Sequence, residues 1–123
     1  MGTGVVQNWE LVFSECADIR PSADNFVPVA IWEIDERDEY RLDIYEGYPN
    51  FYKKIDLEFT WITDAEGNSF EGTGKGMVYV MNGERPIMGP SQSYYEVIEE
   101  GYMEFDLPMV VLARASQKSF KTL

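Results

Sequence analysis

Seven carboxylates crowd one short interval of this chain: Glu33, Asp35, Glu36, Asp38, Glu39, Asp43 and Glu46. Most of them suit the wet face and cap of one helix. Glu46 has different neighbours, because it stands inside "LDIYEGYPNFY" (Leu42 to Tyr52) among three tyrosines, a phenylalanine, a glycine and a proline. A carboxylate lodged against aromatic rings loses hydration, which disfavours its charged form and raises its pKa. Such a group can accept and return a proton near neutral pH. The same residue is also compatible with a plain glutamate at the end of a capped helix. The chain has no histidine, which removes Ser-His-Asp and Cys-His nucleophile pairs and zinc sites that need imidazole. Proton transfer must then run through carboxylates, tyrosine, lysine or water.

Other chemistry-bearing stretches are less specific. "DAEGNSFEG", Asp64 to Gly72, is acidic but lacks the D-x-D-x-D-G spacing of a calcium loop and reads as a hairpin turn. "GTGKG", Gly72 to Gly76, does not match G-x-x-x-x-G-K-[ST] and precedes a strand, so its glycines read as flexibility before that strand. Tyr94, Tyr95 and Tyr102 stand at helical spacing, as cavity lining or as core residues with wet hydroxyls. Cys16 is the single cysteine; it cannot form an intramolecular disulfide and reads as a small buried hydrophobe.

At 123 residues the chain has the length of one domain. Its residues are 45% apolar and 15% aromatic, enough to offset chain entropy with burial. Ten basic residues against 22 acidic ones give a net charge of −12, which opposes binding to nucleic acid or to anionic membrane. The acidity suits solubility, or docking on a basic partner. With one cysteine, no secretory leader and no apolar run of transmembrane length, a reducing, cytoplasmic setting is expected.

The elements that must position Glu46 follow from periodicity. "NWELVFSE", Asn8 to Glu15, alternates as a half-buried strand. "IRPSADNF" reads as a loop, and "VPVAIWEI", Val27 to Ile34, as an interior strand. The run "DERDEYRLDIYEG" predicts a helix with Asp35 as cap, Glu36 and Asp38 in the positive first turn, and Gly47 as stop. Tyr40, Leu42 and Ile44 are expected to face inward. "FYKKIDLEFTWI" and "GKGMVYVMN" predict two strands joined by the Asp64 turn. A helix from about Ser91 to Gly101 follows, then a C-terminal helix with Asp106 as cap and Pro108 in its first turn. Grouped strands with helices between and after them define an α+β class.

Three segments in order resemble the γ-glutamylcyclotransferase-like family, which includes γ-glutamylamine cyclotransferases and AIG2-like proteins. "ADIRPSADNFVPVAIWEID" is similar to the family's loop, strand and short helix. "LDIYEGYPNFYKKIDLEF" is similar to its L-D-x-x-E-G-x-P-x-x-Y segment, with Leu42, Asp43, Glu46, Gly47, Pro49 and Tyr52 in the matching places. "VYVMN" and "PSQSYYEVIEEGY" match its tyrosine-bearing strand and P-S-x-x-Y helix through Tyr79, Pro90, Ser91, Tyr94 and Gly101.

The resemblance implies a small mixed β-barrel with peripheral helices, Glu46 as catalytic acid/base, and Tyr79, Tyr94, Gly47 and Tyr52 as substrate-binding residues. It implies an enzyme that, with no metal or organic cofactor, cleaves an amide of a small γ-glutamyl or related amino-acyl compound by intramolecular amine attack and releases 5-oxoproline and an amine. One family feature has no counterpart: members open with a strand ending in a Y-G-[ST]-x turn, and here the chain begins "MGTGVVQNWELVF". The expectation is a single domain over 1–123 without the family's first strand and helix. Unpaired sheet edges would then favour a homo-oligomer. Without that turn, a module that holds a small metabolite unchanged and an acidic protein-interaction domain are the alternative functions.

Overall fold

Alternating apolar residues build the first strand, but it is longer than the alternation. The structure, a computed structural model, describes residues 2–64, 66–83 and 86–120. Strand β1 spans Gly2–Ser14 and β2 spans Cys16–Ile31, with Glu15 (φ 69°) the single residue between them. Asn8, within the continuous strand β1, takes φ 64°, a left-handed conformation that asparagine adopts more readily than most residues. Strict period two does not hold to the end of the strand: Val12, Phe13 and Ser14 are all buried in succession.

The loop expected over 19–26 is strand instead. Its turn-forming residues express a local preference that sheet pairing overrides. Only Asp24 takes a positive φ, 65°. Because β2 lies at the edge of the sheet, Pro21 and its missing N–H are tolerated there. The strand ends at Ile31, three residues short of expectation, and leaves Trp32 and Ile34 exposed.

Strands β3 (Tyr52–Thr63) and β4 (Thr73–Met81) form an antiparallel hairpin in register from Tyr52↔Met81 to Thr60↔Thr73. At its tip the Asp64 carboxylate accepts the N–H groups of Glu66 (2.9 Å) and Asn68 (3.0 Å), which makes it a turn-former. Gly74 is a strand residue for a steric reason: a Cβ there would lie 2.7 Å from the Phe59 ring. The sheet order is β2-β1-β3-β4. The α+β class is as expected, but the sheet is antiparallel and open, not a mixed closed barrel.

Helix α1 covers Glu36–Glu46, α2 Gln92–Glu104 and α3 Met109–Phe120. Ser91 caps α2 by accepting the Tyr94 N–H at 3.3 Å. The helix runs through Gly101, its expected end, to Glu104, with Phe105 as its C-cap. Asp106 (φ 53°) is not the cap of α3; its N–H is donated back to the Met103 carbonyl, so it closes α2, and α3 starts after Pro108.

The backbone groups into two bodies. One comprises residues 1–4 and 30–84, the other residues 5–29 and 85–123. The second has a core of Phe13, Tyr102, Leu112 and Ala115, bordered by Leu11, Tyr94, Tyr95, Ile98 and Leu107. The first buries Tyr52, Phe59, Val80 and Met81, and Phe59 and Trp61 pack edge to face at 4.9 Å.

Candidate active site

Glu46 is the last residue of α1, and the sequence fixes both ends of that helix. Asp35 and Asp38 form a capping box, each side chain accepting the other's backbone N–H (2.8 and 3.3 Å). Glu36, Asp38 and Glu39 meet the positive end of the helix dipole. At the other end Gly47 adopts φ 66°, ψ 37°, and its N–H is donated to the carbonyls of Asp43 and Ile44. The Tyr48 N–H is donated to the Asp43 carbonyl (2.9 Å) and the Phe51 N–H to that of Gly47 (2.8 Å). A side chain at position 47 would add left-handed strain and a contact 3.2 Å from the Phe51 Cβ.

The turn after Glu46 is held from β4. The Asn82 N–H is donated to the Phe51 carbonyl (3.0 Å), and its side-chain amide donates to the carbonyls of Pro49 and Asn50. Three bonds from one residue thus anchor the segment that leaves the glutamate.

Tyr40, Leu42 and Ile44 do not face inward. Tyr40 and Ile44 are 67% and 65% exposed, Leu42 is 36% exposed, and α1 buries no residue. The face that meets the hairpin is polar. Lys54 of β3 donates to Glu39 (2.8 Å) and Asp43 (3.1 Å), acids one turn apart. Tyr79 of β4 donates its hydroxyl to the other Asp43 oxygen at 2.5 Å. Lys54 also sits 4.2 Å from the centre of the Tyr48 ring.

These contacts sort the titratable groups into roles. The Tyr79 hydroxyl, reinforced by Lys54, holds the Asp43 carboxyl below its usual range. Burial, then the Asp43 charge, pushes the Tyr79 phenol upward, so it stays protonated as a donor. The bond to Glu39, and then that to Asp43, raises Lys54, which stays cationic. Glu46 moves the other way from Asp43: burial alone raises its carboxyl above the ordinary 4.5. Two carboxylates three residues apart are thereby shifted in opposite directions, Asp43 toward its charged form by its partners and Glu46 toward its neutral form by burial.

Of the residues singled out from sequence, Glu46, Gly47, Tyr52 and Tyr79 lie in the first body. Tyr52 is buried against Phe51, edge to face at 4.9 Å. Tyr94 lies in the second body, where its hydroxyl accepts the Ala17 N–H at 3.0 Å and its ring borders the Phe13 core. Glu39 and Asp43, expected among the wet-face acids of the helix, and Lys54 and Asn82, not singled out from the sequence, are the residues that hold α1 and its turn. The i, i+4 spacing of Glu39 and Asp43 was the available signal for the first two; Asn82 carried none. Among the described residues no cluster of three potential ligands could hold a metal ion, and no helix is long and apolar enough to cross a membrane.

An α+β domain with helices on an open four-stranded antiparallel sheet is a recognisable class of fold. Two solved structures share it: an uncharacterised protein from Homo sapiens and a γ-glutamyl cyclotransferase. Each is 20% identical, with a TM-score of 0.74 over 94% of this chain and 71% of the other. No curated protein sequence matches the chain. The profile of the γ-glutamyl cyclotransferase, AIG2-like family matches residues 1–102, and the chain belongs to that family.

Proposed function

We propose that the protein is a γ-glutamyl cyclotransferase-type enzyme in which Glu46 is the acid/base. The observation that carries this reading is the environment of Glu46: a carboxyl raised by burial, at the end of a capped helix, on a turn that Asn82 clamps. Family membership supports the same reaction class. In the reaction Glu46 takes a proton from the substrate's α-ammonium group. The freed amine attacks the γ-carbonyl carbon to form the ring C–N bond. The amide C–N bond then breaks as Glu46 returns the proton to the leaving amine, and the ring nitrogen loses its second proton to solvent, giving 5-oxoproline and a free amine. One carboxylate suffices because the nucleophile belongs to the substrate. Oriented intramolecular attack is worth roughly 7–11 kcal/mol of barrier.

The test is incubation of the protein with γ-glutamyl amines and γ-glutamyl dipeptides, with 5-oxoproline as the readout. Glu46→Gln should cut the rate by about 10² or more, the usual contribution of a positioned acid/base. Substrate recovered unchanged from wild type, or equal product from the variant, overturns the proposal; retained ligand without product is the signature of a binding module.

The open sheet, with β2 and β4 at its edges, supports self-association by edge pairing. Light scattering should then give a mass above 14.2 kDa, and a monomer at all concentrations removes the idea. The lone cysteine and the −12 charge support a reducing, cytoplasmic setting without nucleic-acid or membrane partners.

A further inference from the structure

The second body contains a small cavity built partly from residues inside the family match and partly from a helix beyond it. Helix α3 supplies Val111, Arg114, Ala115 and Lys118, an i, i+3, i+4, i+7 stripe, and this helix lies beyond the residues matched to the family. The strands supply Glu10 and Leu11 from β1 and Asp24, Asn25 and Phe26 from β2.

We propose that this cavity binds a small zwitterionic amino acid, with Arg114 taking its carboxylate and Asp24 its ammonium group. The charges lining the cavity are two cations and two anions, but they are not equally available. Lys118 donates to Glu10 at 2.8 Å, so that pair neutralises itself. Arg114 and Asp24, both exposed residues that line the cavity, have no ion pair or hydrogen bond among the described residues, so both charges are open to a ligand. A ligand with one charge of each sign matches both. An anion alone would leave Asp24 opposed to it, in a protein whose net charge is already −12. A guanidinium presents paired donors that fit a carboxylate in two parallel hydrogen bonds. Val111 and Ala115, both buried, and Phe26 supply an apolar wall for the carbon skeleton. The volume, about 100 Å³, admits a ligand of amino-acid size and is well below the roughly 300 Å³ at which pockets for larger metabolites begin.

The positive φ of Asp24, 65°, makes a clean test available. Asparagine accepts that backbone conformation as readily as aspartate, so Asp24→Asn removes the charge without straining the strand.

The experiment is an amide NMR titration of the full chain with L-alanine, sodium propionate and ethylamine. Alanine should shift the Asn25 and Ala115 signals saturably, and neither half-ligand should do so at the same concentration. Arg114→Gln and Asp24→Asn should each weaken alanine binding about tenfold or more, as expected for loss of a charged hydrogen-bond partner, with the remaining spectrum unchanged. Arg114→Gln should release 5-oxoproline at the wild-type rate, which separates this site from Glu46. No saturable shift with alanine, an equal response to propionate alone, or wild-type affinity in both variants overturns the proposal.

Discussion

Helix α1 contributes no side chain to a core, whereas α2 and α3 place Tyr102, Leu112 and Ala115 in one cluster with Phe13. The first is held by capping carboxylates, one lysine and one tyrosine hydroxyl; the second pair is held by apolar burial. Directional bonds fix where a helix end points but contribute little net free energy, since water competes for the same partners. Apolar burial contributes about 1.5–3 kcal/mol per large side chain and has no direction. The glutamate expected to move a proton therefore sits on a helix held by directional bonds, whereas α2 and α3 are held by packing.

The largest effect should come from the packed side. Leu112→Ala is expected to lower stability by about 2–5 kcal/mol, while Ile44→Ala on the exposed face of α1 should stay within about 0.5 kcal/mol. Urea denaturation of both variants measures this, and equal losses would break the contrast. Tyr79→Phe comes next. It should release α1 without unfolding the core, seen as faster amide exchange in 36–46 with an almost unchanged urea midpoint, and the Asp43 carboxyl should titrate closer to its ordinary 3.8.

Acid should reproduce part of that release. The Asp43 pKa is depressed in the folded protein, so its contribution is complete above the ordinary value near 3.8 and is lost as pH falls below it toward the folded value. Amide exchange of α1 should accelerate across that window while the amides of α3 residues 111–115 remain protected. The smallest effect concerns Glu46. Its pKa is raised on folding, so the charged form present at neutral pH is the one folding disfavours. Glu46→Gln should leave stability unchanged or slightly higher at pH 7 while removing activity; a clear loss of stability would mean that the carboxylate anchors the turn.

The legible parts of the sequence were those written in local chemistry. Asp35 and Gly47 announced both ends of α1, Ser91 the start of α2, and Asp64 with Gly67 the hairpin turn, because capping and turn formation need only neighbouring residues. The α+β class followed from element order, and Glu46 was marked by its aromatic neighbours. What stayed hidden depends on distant partners. Strand pairing overrode the turn formers of 19–26, and Gly101 continued a helix whose next residue, Tyr102, enters the core. The polar docking of α1 was missed because apolar spacing at Tyr40 and Ile44 suggested an inward face. Lys54 and Tyr79, 11 and 36 positions away from Asp43, reverse that choice only once the hairpin is in place.

The hydrogen bond between the Thr3 and Thr63 hydroxyls, 2.8 Å long across 60 positions of sequence, has a consequence for the order of assembly. Residues 2–4 meet β3 where Gly2 and Gly4 approach the Thr63 and Thr60 carbonyls, a contact whose loop-closure entropy is spent before any reward. During synthesis at about 5–20 residues per second, the first residues of the chain wait several seconds for their strand partner to be made. The α1 cap and the β3–β4 hairpin, whose contacts are local, can form independently of those first residues.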